Sequence, residues 1–263
     1  MKINLIPKTN QNLIDRCTDI AKADYFENIV LLGDLFLPCI KLTDIYGIFD
    51  NNNLISFYTV FQGFENPSVI LPNNVLDNEA IILSNLYQTL PKEFMLVSFI
   101  LKESDLNDYF TVTETHSEYC MISNQSKFRP HFSSHKFKQV REGDFSCVDS
   151  FYKSNKTLPW NPIQLESNFY FYNKLEDKII ACGGTHFETS DAAQLGNILV
   201  LPEFRRNSMG ITLASTITRE ILKKKSFATL FVTQNNRPAI NLYKKIGFFH
   251  YKPVSIFYCR NDD

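Results

Sequence analysis

Nothing in this 263-residue chain approaches the roughly 18 consecutive apolar residues of a membrane-spanning helix. The stretch after Met1-Lys2-Ile3-Asn4-Leu5 is too polar for a secretory leader. Neither charge is in excess. The 27 basic and 28 acidic side chains leave a net charge of -1, so no overall field draws the protein to nucleic acid or anionic lipid. The six cysteines, at 17, 39, 120, 147, 182 and 259, form no C-x-x-C pair and are not accompanied by a His cluster, so zinc and redox motifs lack support. Several lie in apolar runs, as Cys182 does in Ile179-Ile180-Ala181-Cys182, which fits reduced thiols. These absences predict a cytoplasmic protein with no metal and no membrane or nucleic-acid partner.

What is present reads as α+β. Leu13, Ile14, Cys17, Ile20 and Ala21 recur at helical spacing, and a second apolar segment runs from Ile29 to Leu37 before Pro38. Tyr46–Phe49 and Leu54–Tyr58 flank Asp50-Asn51-Asn52-Asn53, a hairpin signal. Val69–Leu71 predicts a short strand, Asp77–Leu90 a helix and Phe94–Leu101 a strand. The polar stretch from Gln125 to Lys138, with Pro130 and three serines, predicts a linker.

The second half repeats the theme. A helix is expected over Phe145–Tyr152 and a hairpin around Leu175-Glu176-Asp177. Strands are expected at Gln194–Leu201 and Ala228–Val232, and helices at Ser208–Lys225 and Asn236–Ile246, the last stopping at Gly247. Phe248–Tyr251 and Val254–Cys259 finish as two strands. The two hairpins in similar surroundings suggest an internal repeat of two α+β units.

One segment carries the chemistry: Leu199-Val200-Leu201-Pro202-Glu203-Phe204-Arg205-Arg206-Asn207-Ser208-Met209-Gly210-Ile211. It reads as a strand that ends at a proline, turns through two arginines and opens into a helix. The first four N–H groups of a helix have no intrahelical partner, and the macrodipole adds partial positive charge, so such a start accepts phosphate. Downstream stands Asn236-Arg237-Pro238-Ala239-Ile240-Asn241-Leu242-Tyr243-Lys244-Lys245-Ile246-Gly247-Phe248.

These two segments resemble the paired motifs V-x-P-x-[YF]-R-x-x-G-x-[GA] and N-x-x-A-x-x-L-Y-x-x-x-G-F of the GNAT superfamily of acetyl-CoA-dependent N-acyltransferases. They stand in the family's order, with one strand between them. The resemblance is firm over about 140–260 and implies a GNAT-like mixed, largely antiparallel sheet flanked by helices. It implies two lobes: residues 1–125 as a degenerate GNAT-like or accessory lobe, 126–138 as a linker and 139–263 as the N-acetyltransferase domain.

By that resemblance the chain is an acyltransferase that moves acetyl from acetyl-CoA to an amine by direct attack. The acceptor is a small-molecule amine or a peptide or protein amine, and a homodimer is among the assemblies allowed. The turn Arg205, Arg206, Asn207, Ser208, Met209, Gly210 and Ile211 would receive the coenzyme A pyrophosphate. Ile198, Leu199 and Val200 would bind the pantetheine arm, and Asn236, Ala239 and Tyr243 would complete the cofactor site. Ser208 departs from the pattern, standing where the family's first Gly is usual.

Tyr243 is implied as the general acid for the departing thiolate. Many relatives use a carboxylate as base on the strand before the turn, but Gln194 occupies that position and cannot serve. His186, in Gly183-Gly184-Thr185-His186, is the alternative: strand alternation puts it on one face with Cys182 and Gly184. Glu188, Glu166 and water relays remain open. His116 sits in a polar segment of the first half, and Trp160 is expected near the acceptor side. The rival reading is a catalytically weak or inactive CoA-binding module, motivated by Gln194 and Ser208.

Overall fold

The computed structural model describes residues 1–72, 79–90, 92–157, 159–166 and 169–261. The chain divides into two compact units, Met1–Glu118 with Pro253–Asp263, and Tyr119–Lys252.

In the first unit, strands β1 (Lys2–Leu5), β2 (Thr43–Asp50), β3 (Asn53–Phe61) and β4 (Ser68–Ile70) pair antiparallel in that order. The β2–β3 turn places Asn51 and Asn52 at φ 46° and 69°, the left-handed region that asparagine tolerates and a tight hairpin demands. Strand β5 (Glu93–Ser98) lies parallel to β4 across helix α3 (Glu79–Thr89), whose expected start at Asp77 falls outside the described residues. Helices α1 (Gln11–Lys22) and α2 (Ile29–Asp34) cover β3. Helix α1 starts at Asn10, whose side chain accepts the Leu13 N–H at 3.2 Å, and buries Ile14, Cys17 and Ala21 on one face. A short helix, α4 (Glu103–Leu106), precedes β6 (Thr111–Asn124).

The second unit repeats this plan. Strand β7 (Lys138–Gln139) is followed by α5 (Phe145–Ser154) and a 3-10 turn (Pro162–Glu166). Strands β8 (Phe171–Leu175), β9 (Lys178–Glu188) and β10 (Ala192–Val200) follow. Strands β7 to β10 are antiparallel neighbours. Then β10 crosses through α6 (Met209–Leu222) to a parallel partner, β11 (Phe227–Thr233). Helix α7 (Arg237–Lys245) and β12 (Phe249–Arg260) end the chain. The strand orders β1-β2-β3-β4-β5-β12 and β7-β8-β9-β10-β11-β6 match position for position. The expected internal repeat is therefore a repeat of topology.

The sixth strand of each series explains where the unit boundaries fall. Ser255–Arg260 of β12 pairs with β5, so the C-terminal residues belong to the first unit rather than to a domain ending at 263. Segment 126–138 is no free linker. It lies in the second unit and hydrogen-bonds to it repeatedly, with Arg129 N–H donating to the Ile246 carbonyl at 3.0 Å. The two expected final strands are one, because Pro253 removes a ladder donor without breaking the extended backbone.

The second unit's core joins Val148, Tyr152, Tyr170, Ala181 and Leu195 to Leu213, Ile217 and Ile221 of α6. The i, i+4 spacing of the α6 residues aims one apolar stripe at the sheet.

Candidate active site

Strands β10 and β11 pair in parallel only from Ala192–Phe227 to Leu195–Leu230, although both continue. Beyond Leu195 they part, and the β11-facing edge of Ile198, Leu199 and Val200 leaves that ladder. Two bulges accompany the fork. Between β9 and β10, Gln194–Phe187 is followed by Leu195–Thr185, which makes His186 the extra residue of β9. Gly196–Gly184 is then followed by Leu199–Cys182, an extra residue in β10, where Asn197 takes φ 54°. Bulges re-aim side chains, and both occur beside the fork.

Past the fork the chain forms the basic turn. Pro202 opens a 3-10 turn, and Arg205 folds back so that its Nε donates to the Val200 carbonyl at 2.9 Å. That guanidinium braces the strand end, while Arg206 is exposed. Arg206 and Ser208 are left-handed, at φ 62° and 67°. The Asn207 side chain accepts the Met209 N–H at 3.2 Å. The left-handed backbone at 208 is the physical reason a glycine suits that position. At Gly210 an added Cβ would meet Leu242 Cδ1 at 3.6 Å and Val200 Cγ2 at 3.8 Å, ordinary contacts that alanine would also make. Small residues at 208 and 210, the α6 N-terminus and the exposed Arg206 fit a pyrophosphate group.

Helix α7 supplies the far side. Asn236 is its N-cap, accepting the Ala239 N–H at 3.2 Å, with Pro238 in the first turn. Leu242 packs near Gly210, and Tyr243 meets Phe248 edge-on at 5.8 Å between ring centroids. Burial pushes the Tyr243 hydroxyl up to about 12. It stays protonated at neutral pH, and complete transfer to a thiolate, whose parent thiol lies near 8.5, is uphill by roughly three to four pKa units.

On the face lined by β9, Gln164 organises a polar network. It is 3% exposed. Its Nε2 meets His186 Nδ1 at 3.1 Å. Its Oε1 accepts from Asn197 Nδ2 at 2.8 Å and from the Tyr170 hydroxyl at 3.4 Å. The Tyr152 hydroxyl donates to the Asn197 carbonyl at 2.9 Å. With Oε1 committed to two donors, Gln164 presents N–H to His186, which assigns Nδ1 as acceptor and places the imidazole proton on Nε2. Burial pulls His186 down to about 4, so the ring is neutral at physiological pH and a weak base toward an ammonium group.

The remaining sequence candidates separate. Trp160 lies over Tyr152 at 4.1 Å and donates Nε1–H to Asp149 at 2.9 Å. Glu188 faces Lys225 at 3.8 Å. His116 belongs to the first unit, bound to Glu114 at 2.6 Å. Gln194 and its register partner Thr229 bury side-chain polar atoms, Nε2 and Oγ1, with no hydrogen-bond partner among the described residues. Sequence reasoning missed Gln164, Asn197, Tyr170 and Tyr152. Only Asn197 carried a signal, a polar residue inside the apolar strand Leu195–Val200.

The chain is similar to known proteins over part of its sequence and in its fold. Residues 175–255 match the family model described as FR47-like protein. The catalytic subunit NAA20 of the N-terminal acetyltransferase B complex from Arabidopsis thaliana is 32% identical over 68 residues, covering 25% of this chain and 39% of that protein. The chain thus spans about two fifths of the length of that curated relative. Among solved structures, a Drosophila protein superposes with TM-score 0.71 at 18% identity, covering 99% of each chain. A putative GNAT-family acetyltransferase from Novosphingobium aromaticivorans superposes at 0.63 and 16% identity, covering 86% of this chain and 94% of that one. A tandem GNAT protein from the clavulanic acid biosynthesis pathway superposes at 0.64 and 10% identity, covering 100% and 99%. The fold is shared with these GNAT-family structures, and the segment that matches the FR47-like model falls almost wholly within the second unit.

Proposed function

We propose that the chain is an N-acetyltransferase that moves acetyl from acetyl-CoA to an amine by direct attack. The observation that carries this reading is the fork between β10 and β11 opening onto the left-handed turn at Arg206 and Ser208. Together they supply an extended slot for a pantetheine arm and a phosphate cradle at its end.

The thioester supplies an activated acyl group, and this chain's residues orient it. An unpaired strand amide of Ile198 or Leu199 facing the thioester carbonyl would stabilise the developing oxyanion, a contribution of about 3 kcal/mol for a preorganised donor. As the amine nitrogen forms its bond to the carbonyl carbon, the carbon–sulfur bond breaks and its electron pair leaves on sulfur. Tyr243 hydrogen-bonds the departing sulfur. Burial keeps its hydroxyl protonated, so it can donate to the thiolate while solvent completes the protonation.

His186 was the candidate base. Its depressed pKa and its hydrogen bond from Gln164 favour a different role, a neutral imidazole whose Nε2–H orients substrate. The amine enters neutral, having lost any ammonium proton to water, and the second proton that its nitrogen sheds on becoming an amide also passes to water. The matched relative is a subunit of an N-terminal acetyltransferase, so peptide amines belong among the acceptors tested alongside small amines.

A second reading has its own support. Gln194 places no carboxylate before the turn, and Ser208 strains the cradle, as in a CoA-binding module without turnover. Titration calorimetry with CoA, followed by thiol release from acetyl-CoA across an amine panel, tests both. Binding with release supports the enzyme, binding without release on any amine supports the module, and no binding removes both.

A further inference from the structure

Residues 131–135 clasp α6 and the turn that leads into it. The His131 N–H donates to Ser215 Oγ at 2.8 Å, Ser133 Oγ meets Thr212 Oγ1 at 2.9 Å, and His135 Nε2 meets the Asn207 carbonyl at 2.8 Å. The clasp runs antiparallel to the helix, its residues rising from 131 to 135 while their partners fall from 215 to 207. His131 and Ser133 engage α6 itself, and His135 reaches the turn that leads into it. The His135 N–H also donates to Ser133 Oγ at 3.1 Å, which fixes the approach of the ring.

The last of these contacts falls between two strained residues. Asn207 is flanked by left-handed Arg206 and Ser208, a backbone region that L-residues with a Cβ disfavour. Such a backbone persists only where its surroundings over-determine it. Inside the turn, the Asn207 side chain holds Met209 N. Outside it, His135 holds the Asn207 carbonyl. A carbonyl can only accept, so Nε2 carries the proton.

We infer that His135 is a positioning residue for the phosphate-binding turn: it donates to the Asn207 carbonyl and pre-forms the backbone that receives the pyrophosphate. This inference rests on reading the turn as a coenzyme A site. His135 touches neither the acyl group nor the acceptor, so its effect belongs to donor binding and not to chemistry.

The test measures CoA affinity by calorimetry, and KM for acetyl-CoA with kcat, for wild type, His135→Ala, His135→Gln and His135→Asn. Loss of one hydrogen bond predicts that His135→Ala weakens CoA binding and raises KM about three- to tenfold, with kcat at saturating donor within about twofold of wild type. A glutamine amide reaches as far as Nε2 and restores binding, whereas asparagine falls short and does not. Unchanged affinity in His135→Ala overturns the inference while leaving the cofactor reading intact. Equal loss in His135→Ala and His135→Gln also overturns it, in favour of simple packing by the ring. A wild type that does not bind CoA overturns the reading of the turn, and the inference with it.

Discussion

Gly196 lies directly beneath the His186 imidazole: a Cβ at position 196 would fall 1.7 Å from Cδ2 and 1.9 Å from Nε2. The ring is therefore seated against bare backbone at the mouth of the fork, with Gln164 holding its other nitrogen. Gly196→Ala is expected to push the imidazole off Gln164 and lower kcat at least tenfold, while CoA affinity stays within about twofold because the turn is untouched. Steady-state kinetics with a CoA titration check this. Full activity in the variant would remove His186 from the site.

Tyr243 carries a hydroxyl that burial keeps protonated, with its pKa pushed up to about 12. Tyr243→Phe preserves the ring against Phe248 and deletes only the donor. Turnover at saturating acetyl-CoA should fall by about ten- to a hundredfold with CoA affinity nearly unchanged. An equal rate in the variant would show that the leaving thiolate needs no help from this residue.

Ser208 pays for its place in the turn with left-handed strain at φ 67°. Ser208→Gly relieves about 1–2 kcal/mol and gives back part of that as added freedom of the unfolded chain. The net expectation is a gain of about 0.5–1 kcal/mol, a Tm rise of roughly 1–3 °C, with CoA bound at least as tightly. A lower Tm would mean that the serine makes a contact worth more than the strain.

Asp34 is a buried carboxyl in the first unit, 5% exposed and accepting the Thr59 hydroxyl at 2.6 Å. Burial pushes its pKa up to about 7, against about 3.9 in an unfolded chain. Between those values the folded state holds the proton and the unfolded state does not. Stability is therefore fully present below about pH 4 and is lost as pH rises through 7, by an amount on the order of 4 kcal/mol. Asp34→Asn keeps an acceptor for Thr59 without the charge. It should raise Tm at pH 8 and leave it little changed at pH 4. A Tm difference independent of pH would contradict the buried charge as its cause.

The sequence made the backbone plan legible wherever a local rule sufficed. The paired asparagines at 51 and 52 marked the first hairpin, and Gly247, at φ 96°, marked the end of α7. The turn at 205–211 was legible as the joint between a strand and a helix, because Pro202 stands just past β10 and Ser208 directly before α6.

What stayed hidden depends on distant pairing. No local pattern reveals that Ser255–Arg260 pairs with β5, which is why the inclusion of the last strand in the first unit was not legible. Segment 126–138 read as a linker because it is polar and mostly exposed, and its bonds to Ser215, Thr212 and Asn207 are made across more than 70 residues of sequence. Gln164 lies 22 residues from His186 and 33 from Asn197, and only the bulges at 186 and 197 bring the three together.

The most direct test of the account is thiol release from acetyl-CoA by the full chain, with mass spectrometry of the acceptor, across small amines and peptides with free N-termini. The account predicts free CoA in step with an acceptor mass gain of one acetyl group, abolished or sharply reduced in Tyr243→Phe. CoA binding without release on any amine, or release equal in wild type and Tyr243→Phe, would contradict it.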